Sequence, residues 1–289
     1  MFKSNAFLDL PAEFAVYERS RYAVLPVPYE GTVSYATGTA DGPMAIIEAS
    51  ANVELLDNEL LGEYYEAGVH LLPPVPPAPE PDEQMRRVYE AAAPVVRDGK
   101  FLLTLGGEHS ITTPLVRAMC EQYGAVSVLQ IDAHADLREQ YNNSKWSHAS
   151  AMRRVLEITP HLCQVGIRSF SVEELDACPR HVEAFVTPRI IRTDRDWISR
   201  VLGRLTEKVY VTIDIDGLDP AYAPGTGTPE PGGLDWFELT DLLRTVCAER
   251  EVVGADIVEV RPIPGHHATE FLAAKLAYKI IAYTQFRRP

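Results

Sequence analysis

"SVLQIDAHADL", residues 127–137, decides the fold because it joins a mostly apolar run to three regularly spaced polar residues. The first part, residues 127–131, predicts a β-strand that is buried on both faces. Asp132, His134 and Asp136 then occupy every second position, so their side chains would project to the same side. Buried carboxylates are costly without a partner, and a cation would compensate them. The stretch therefore predicts a buried strand that ends at a metal site.

Apolar runs of this kind recur along the chain and alternate with helix-length amphipathic segments. The runs include "YAVLPV", "GVHLL", "FLLTLG", "CQVGI", "KVYVTIDID" and "VVGADIVEV". This alternation predicts parallel β-α-β units, arranged either as an open sheet covered on both faces or as a barrel. We favour the open arrangement, a three-layer α/β/α sandwich, in a single domain over residues 1–289. The proline-rich stretch near residues 71–83 is then a surface loop rather than a domain linker.

Composition restricts the class of partner. The chain has 289 residues, 46% of them hydrophobic, and a formal net charge of −14. An excess of acidic residues argues against nucleic-acid binding and suits a small cationic ligand. No signal-peptide pattern and no apolar run of membrane-spanning length is found, which predicts a cytoplasmic protein without membrane contact. The four cysteines lack C-x-x-C spacing, so we expect them to be reduced.

Other predicted strands also end in acidic residues or histidine. "FLLTLGGEHS" ends in Glu108 and His109, "VYVTIDID" contains Asp214 and Asp216, and "GADIVEV" contains Glu259. In open parallel sheets the ligand site lies beyond the carboxyl ends of the strands. We therefore expect residues from at least four strands to converge there.

The number and kind of candidate ligands favour two metal ions. The candidates are His109, Asp132, His134, Asp136, Asp214 and Asp216. Six side chains exceed what one catalytic ion needs, whereas two ions about 3.5–4 Å apart share bridging carboxylates. Oxygen-rich coordination with some imidazole suits manganese better than zinc. The motif "DIDGLD" differs from a calcium loop, because Gly217 is in the fourth position rather than the sixth.

Five motifs resemble the successive signatures of the ureohydrolases, the arginase and agmatinase family. They are "GGEHS", "DAHADL", "SHAS", "DIDGLDPAYAPGTGTPEPGGL" and "DIVEV", spread over residues 106–260, and "GTADGPMAIIEAS" at residues 38–50 resembles the family's N-terminal loop and helix. The resemblance implies a central, mainly parallel sheet of eight strands, two Mn²⁺ ions per chain, and a homo-oligomer that is a trimer or hexamer.

The resemblance also implies a division of the ligands between the ions. The first ion would bind His109, Asp132, Asp136 and Asp214, and the second Asp132, His134, Asp214 and Asp216. Asp132 and Asp214 would then bridge the two ions, and Asp136 would also count among the catalytic residues.

The chemistry implied by the resemblance is guanidine hydrolysis. A guanidinium carbon is a poor electrophile and water a poor nucleophile, and two metals supply hydroxide from a bridging water. Glu259 resembles the family's carboxylate that pairs with the guanidinium. His148 in "WSHAS" resembles the family's shuttle histidine, which protonates the leaving amine.

The substrate tail is the least determined feature. By the same resemblance, arginases hold the substrate carboxylate with small polar residues after "DAHAD", where this chain has Leu137, Arg138 and Glu139. They hold the α-amine with an acidic residue after the "GIR" turn, where this chain has Ser169, Phe170 and Ser171. We therefore predict agmatine, which would give putrescine and urea, with Glu173 or Glu174 receiving the ammonium. Arg138 would instead favour a carboxylate such as guanidinobutyrate, and arginine is less favoured. A single-zinc, histone-deacetylase-like enzyme and a non-catalytic metal-binding protein are the more distant alternatives.

Overall fold

The structure is a computed structural model that describes residues 6–182 and 184–286. Its strands are β1 (Tyr22–Val27), β2 (Leu56–Asp57), β3 (Gly62–Glu63), β4 (Val69–Leu71), β5 (Phe101–Gly106), β6 (Val126–Ile131), β7 (Leu162–Val165), β8 (Lys208–Asp214) and β9 (Glu251–Val258). Seven of these strands form a parallel sheet in the order β4-β1-β5-β9-β8-β6-β7. The other two, β2 and β3, form a small antiparallel pair.

The helices cover both faces of the sheet, as the three-layer prediction requires. They are α1 (Gly42–Ser50), α2 (Pro81–Arg97), α3 (Thr112–Tyr123), α4 (Ala151–Val155), α5 (Val172–Ala177), α6 (Pro179–Val182), α7 (Pro188–Thr193), α8 (Trp197–Leu202), α9 (Trp236–Glu249) and α10 (Ala268–Gln285). One hydrophobic cluster packs α1, α9 and α10 against the sheet. A second cluster packs α2, α3 and α4 against its other face. The open α/β/α sandwich is thus confirmed.

The sheet has seven strands in the described part of the chain, so the expected number of eight was wrong. At the edge next to β7, Val186 makes a single parallel bridge to Val165. The chain then turns at once into α7, because the Thr187 side chain accepts a hydrogen bond from the Ile190 N–H and proline follows at position 188. Proline at the first helical turn favours a helix over a continued strand.

The proline-rich stretch runs along the sheet rather than away from it. The N–H of Leu72 donates to Val24 O and that of Val75 donates to Pro26 O. Val75 is also buried. The segment between β4 and α2 is therefore tied to β1 by backbone hydrogen bonds. All four cysteines are free, and among the described residues no helix is long and apolar enough to cross a membrane.

Candidate active site

The predicted site residues come together at the carboxyl ends of four neighbouring strands in the middle of the sheet. β5, β9, β8 and β6 lie side by side in that order. His109 follows β5, Glu259 follows β9, Asp214 ends β8 and Asp132 follows β6. Strands that are parallel and adjacent bring their ends to one edge, so residues 150 positions apart in the chain become neighbours.

The first group of possible ligands surrounds His109. Its Nδ1 lies 3.0 Å from Asp132 Oδ2, 3.0 Å from Asp136 Oδ2 and 3.6 Å from Asp214 Oδ2. His109 is buried, and its Nδ1 has no hydrogen-bond partner of good geometry within the described chain. Four potential ligand atoms thus face one another in a buried space.

The second group centres on His134. Its Nδ1 lies 3.0 Å from Asp216 Oδ2 and 3.7 Å from Asp132 Oδ1. Ligand atoms of Asp132, His134 and Asp216 lie within 4.8 Å of one another, as do those of His109, Asp132 and Asp214. The two oxygens of Asp132 therefore face different histidines, which is the arrangement that a bridging carboxylate needs.

The electrostatics of these residues fit divalent cations. Burial and the nearby Asp132 carboxylate raise the pKa of Asp136 to about 7. Burial, Asp216 and Asp132 likewise raise the pKa of Asp214 well above its ordinary value. Within residues 6–182 and 184–286, no lysine or arginine forms an ion pair with these aspartates. Four crowded carboxylates with an orphaned imidazole nitrogen match the ligand set of two divalent ions.

Metal removal should therefore destabilise the protein. Divalent ions that bind only the folded chain would neutralise the repulsion among the aspartates, and each site saturated at about 100 times its Kd would contribute about 2.7 kcal/mol. For a chain of this size we expect chelation to lower the melting temperature by about 4 °C or more. Thermal unfolding before chelation, after it, and after Mn²⁺ is returned measures the change. An identical melting temperature in all three states would contradict the assignment.

Two residues that support the ligands, Thr212 and Gln130, were not identified from the sequence. His109 Nε2 lies 2.8 Å from Thr212 Oγ1, whose hydroxyl donates to Asp256 Oδ1 at 2.6 Å. Gln130 Nε2 donates to Asp132 Oδ2 at 2.7 Å. Thr212 lies in β8 two positions before Asp214, and Gln130 lies in β6 two positions before Asp132. Residues two positions apart in an extended chain project to the same side. That spacing is the sequence signal that could have identified them.

Glu259 lies beside the ligand cluster in a strained backbone conformation. Its Oε1 accepts a hydrogen bond from His109 N at 2.8 Å. Its φ is +62°, and that of Asp136 is +54°, both in the left-handed region that favours glycine. Such strain is concentrated at functional sites. Burial, together with the Glu108 charge, raises the pKa of Glu259 well above its ordinary value. The ionised form of Glu259 would therefore be stabilised by a cation bound beside it.

His148 lies in a short helical turn, residues 148–150, and contacts a loop that sequence reasoning did not connect with it. Its Nδ1 lies 3.2 Å from Thr32 Oγ1 and its Nε2 lies 3.4 Å from Ser34 Oγ. Burial, with the charges of His134 and His109, lowers the pKa of His148 to about 4. The loop at residues 28–38 has no helix or strand, so no periodic pattern could have placed it here.

A cleft of about 210 Å³ opens above the ligand cluster. Its walls include His134, Asp136 and His148 on the inner side and Arg138, Tyr141 and Phe170 on the outer side. The cleft thus connects the candidate metal ligands with the two segments from which we predicted tail recognition.

The residues predicted to bind the substrate tail differ in the ion pairs and hydrogen bonds that they already make within the protein. Arg138 Nη1 lies 3.5 Å from Glu173 Oε2, and its guanidinium lies 5.1 Å from the Tyr141 ring centroid. Glu174 also lines the cleft, but its oxygens already accept from Leu137 N and from the N–H and hydroxyl of Ser171 in a capping box. Glu173 is 54% exposed, and within the described residues the 3.5 Å contact with Arg138 is the ion pair that its carboxylate makes.

Comparisons with known proteins show the family to which the chain belongs. The model of the Arginase family matches residues 20–282. The chain is 38% identical to the N(1)-aminopropylagmatine ureohydrolase of Synechocystis sp., over 98% of this chain and 97% of the relative. It is 35% identical to the agmatinase of Bacillus anthracis, over 86% of this chain and 87% of that protein.

A solved structure has the same fold. The agmatine ureohydrolase of Thermoplasma volcanium superposes with a TM-score of 0.85 at 33% identity, covering 93% of this chain and 92% of the other.

Proposed function

Because the chain belongs to the Arginase family, we propose that this agmatinase-like ureohydrolase releases urea from a guanidine with a cationic tail. The observation that carries the proposal is the buried cluster of four aspartates and two histidines at the floor of the cleft. The aspartates provide the charge for two divalent ions, and the cleft provides a path for the substrate from solvent.

We propose Mn²⁺ as both ions. His109, Asp132, Asp136 and Asp214 would hold one, and Asp132, His134, Asp214 and Asp216 the other. When bound, the pair lowers the pKa of water so that a nucleophile is available near neutral pH. The oxygen-rich donor set supports manganese over zinc, and a metal count of two manganese ions per chain distinguishes this enzyme from a single-zinc one.

Glu259 and His148 would perform the other steps. The buried Glu259 carboxylate pairs with the planar guanidinium and orients its carbon toward the ligand cluster. Attack on that carbon gives a tetrahedral centre, and the leaving amine needs a proton before the C–N bond breaks. His148, which lines the cleft, would take up at Nε2 the proton that the attacking water loses and pass it to the leaving nitrogen. Urea and the protonated amine are then the products.

For the tail, we propose N1-aminopropylagmatine first and agmatine, the substrate predicted from the sequence, second. The 38% identity to an aminopropylagmatine ureohydrolase over nearly the whole chain favours the longer tail. Arg138 is already paired with Glu173 and stacked on Tyr141, which weakens the case for guanidinobutyrate. An extended tail has a second ammonium that can reach the exposed Glu173 or the aromatic rings of Tyr141 and Phe170.

A panel of guanidines tests this proposal. Urea release from N1-aminopropylagmatine, agmatine, guanidinobutyrate and arginine is measured side by side with Mn²⁺ present. We expect the two amine-tailed compounds to lead and arginine to be at least about 100-fold less efficient, because an unpaired carboxylate in the cleft costs several kcal/mol. A preference for guanidinobutyrate would show that Arg138 binds the end of the substrate tail. If none of the four compounds released urea, the proposed function would be contradicted.

Some predictions from the sequence stay predictions. We propose that residues 1–289 act as one ureohydrolase domain, that the protein works in the cytoplasm, and that it assembles into trimers or hexamers. Sedimentation velocity would measure the assembly state.

A further inference from the structure

Glu108 and the loop at residues 31–32 form a hydrogen-bonded chain that ends at His148. The Thr32 hydroxyl oxygen has three partners: Glu108 Oε1 at 3.1 Å, the backbone N of His148 at 3.1 Å and His148 Nδ1 at 3.2 Å. A hydroxyl has one hydrogen to donate and two lone pairs that accept. Three partners therefore use the whole hydrogen-bonding capacity of the Thr32 hydroxyl, so the donor and the acceptor of each bond can be assigned.

Glu108 fixes the direction of the first bond. It is fully buried, and its Oε2 accepts from the N–H groups of Gly31 and Thr32, both at 2.7 Å. Its Oε1 accepts from the Ser110 hydroxyl in addition to that of Thr32. A carboxylate with four donors around it only accepts. The single hydrogen of the Thr32 hydroxyl must therefore point to Glu108.

The remaining two bonds then run from His148 to Thr32. The backbone N–H of His148 donates to one lone pair of Thr32 Oγ1. The other lone pair can only accept from Nδ1, so Nδ1 has to carry a hydrogen. Nε2 is thereby left as the nitrogen that gains and loses a proton, and it faces Ser34 Oγ at 3.4 Å in the wall of the cleft.

We propose that Glu108 and Thr32 are positioning residues that hold His148 as the Nδ1–H tautomer, with Nε2 directed to the leaving amine. The kinetic consequence rests on the proposed function, since it requires His148 to supply the proton. The tautomer itself does not, because it follows from the contacts alone. In other enzymes a carboxylate that accepts a hydrogen bond from Nδ1–H fixes the tautomer and orientation of a catalytic imidazole. Here a threonine hydroxyl lies between the carboxylate and the imidazole.

The first test is a Thr32→Val substitution, which removes the hydroxyl and keeps the side-chain shape. We expect kcat to fall about 10- to 100-fold with KM changed less than about 3-fold, because orientation of the acid is lost and substrate contacts are kept. Thr32→Ser restores the hydroxyl and should recover most of kcat. Thr104→Val is the matched control, because Thr104 is buried and its hydroxyl has no hydrogen-bond partner within the described residues.

A double-mutant cycle separates this role from a general structural one. In a His148→Ala background, Thr32→Val should reduce the residual rate less than about 2-fold, since Thr32 acts through the missing imidazole. An undiminished loss in that background would overturn the proposal. Equal metal content and melting temperature among the variants would show that the fold is retained.

Glu108→Gln gives the most specific outcome. The Gly31 and Thr32 N–H groups hold the amide oxygen on their side, so the amide NH₂ faces Thr32 Oγ1 and donates to it. The Thr32 hydroxyl must then donate to His148 Nδ1, which inverts the tautomer to Nε2–H. We expect kcat to fall about as much as in Thr32→Val, although Thr32 itself is unchanged.

The ¹⁵N spectrum of histidine-labelled protein, loaded with a diamagnetic divalent ion, reads the tautomer directly. The His148 signals are assigned by their absence from the His148→Ala variant. We expect Nδ1–H in the unaltered protein and Nε2–H in Glu108→Gln. An Nε2–H signal in the unaltered protein overturns the proposal whatever the activity. Nδ1–H in a protein that hydrolyses no guanidine would instead contradict the proposed function alone.

Discussion

Asparagine in place of Asp132 should abolish most of the activity and reduce the binding of both ions. The two oxygens of Asp132 face different histidines, 3.0 Å from His109 Nδ1 and 3.7 Å from His134 Nδ1. The substitution removes a negative charge from both groups at once. We expect kcat/KM to fall at least about 1000-fold, since metal activation of the nucleophile is worth several kcal/mol. Elemental analysis after dialysis measures bound metal, and urea release measures turnover.

Three further variants show whether the effect is specific. Asp214→Asn should behave like Asp132→Asn if it also bridges. His148→Ala should lose turnover but keep its metal, because His148 is not among the proposed ligands. Asp196→Asn, which makes the same charge change on an exposed side chain, should leave both properties unaltered. Unchanged metal stoichiometry in Asp132→Asn would show that the bridging assignment is wrong.

The parts of the site that the sequence predicts are those that follow strands. A strand has a period of two, and the parallel arrangement places all carboxyl ends at one edge, so Asp132, His134 and Asp216 could be grouped without a structure. The three-layer architecture follows from the same alternation of buried strands and helices. The seven apolar runs also correspond to the seven strands of the main sheet. The eighth strand was implied by the family resemblance alone, and at that edge the described chain has a single bridge at Val186 followed by a helix that begins at Pro188.

Residues in irregular loops could not be predicted in this way. Thr32 and Ser34 contact His148 across 116 and 114 positions of sequence, from a segment without periodicity. Glu174 shows a second way in which a residue escapes prediction from spacing. Its sequence position suggested a ligand for the substrate tail, but the structure uses its carboxylate to cap α5 and to hold Leu137 N. Side-chain hydrogen bonds of this kind depend on tertiary contacts, which spacing alone does not specify.

Glutamine in place of Glu259 should weaken catalysis strongly while the protein without substrate keeps or gains stability. Glu259 is buried beside the Glu108 carboxylate, and burial and that charge both raise its pKa. The unpaired carboxylate is therefore unfavourable until a guanidinium arrives. Removing its charge relieves the repulsion in the free enzyme but deprives the substrate of its partner, which costs about 2–5 kcal/mol for a buried charge pair. We expect kcat/KM to fall roughly 30-fold or more.

Paired measurements on Glu259→Gln separate this explanation from simple damage to the fold. The melting temperature of the substrate-free protein should stay the same or rise, and the metal content should be unchanged. Glu66→Gln is the matched control, since Glu66 is exposed and makes no side-chain hydrogen bond or ion pair with the described residues. A drop in melting temperature together with loss of metal would mean that Glu259 supports the ligand cluster, and that its hydrogen bond from His109 N is its main role.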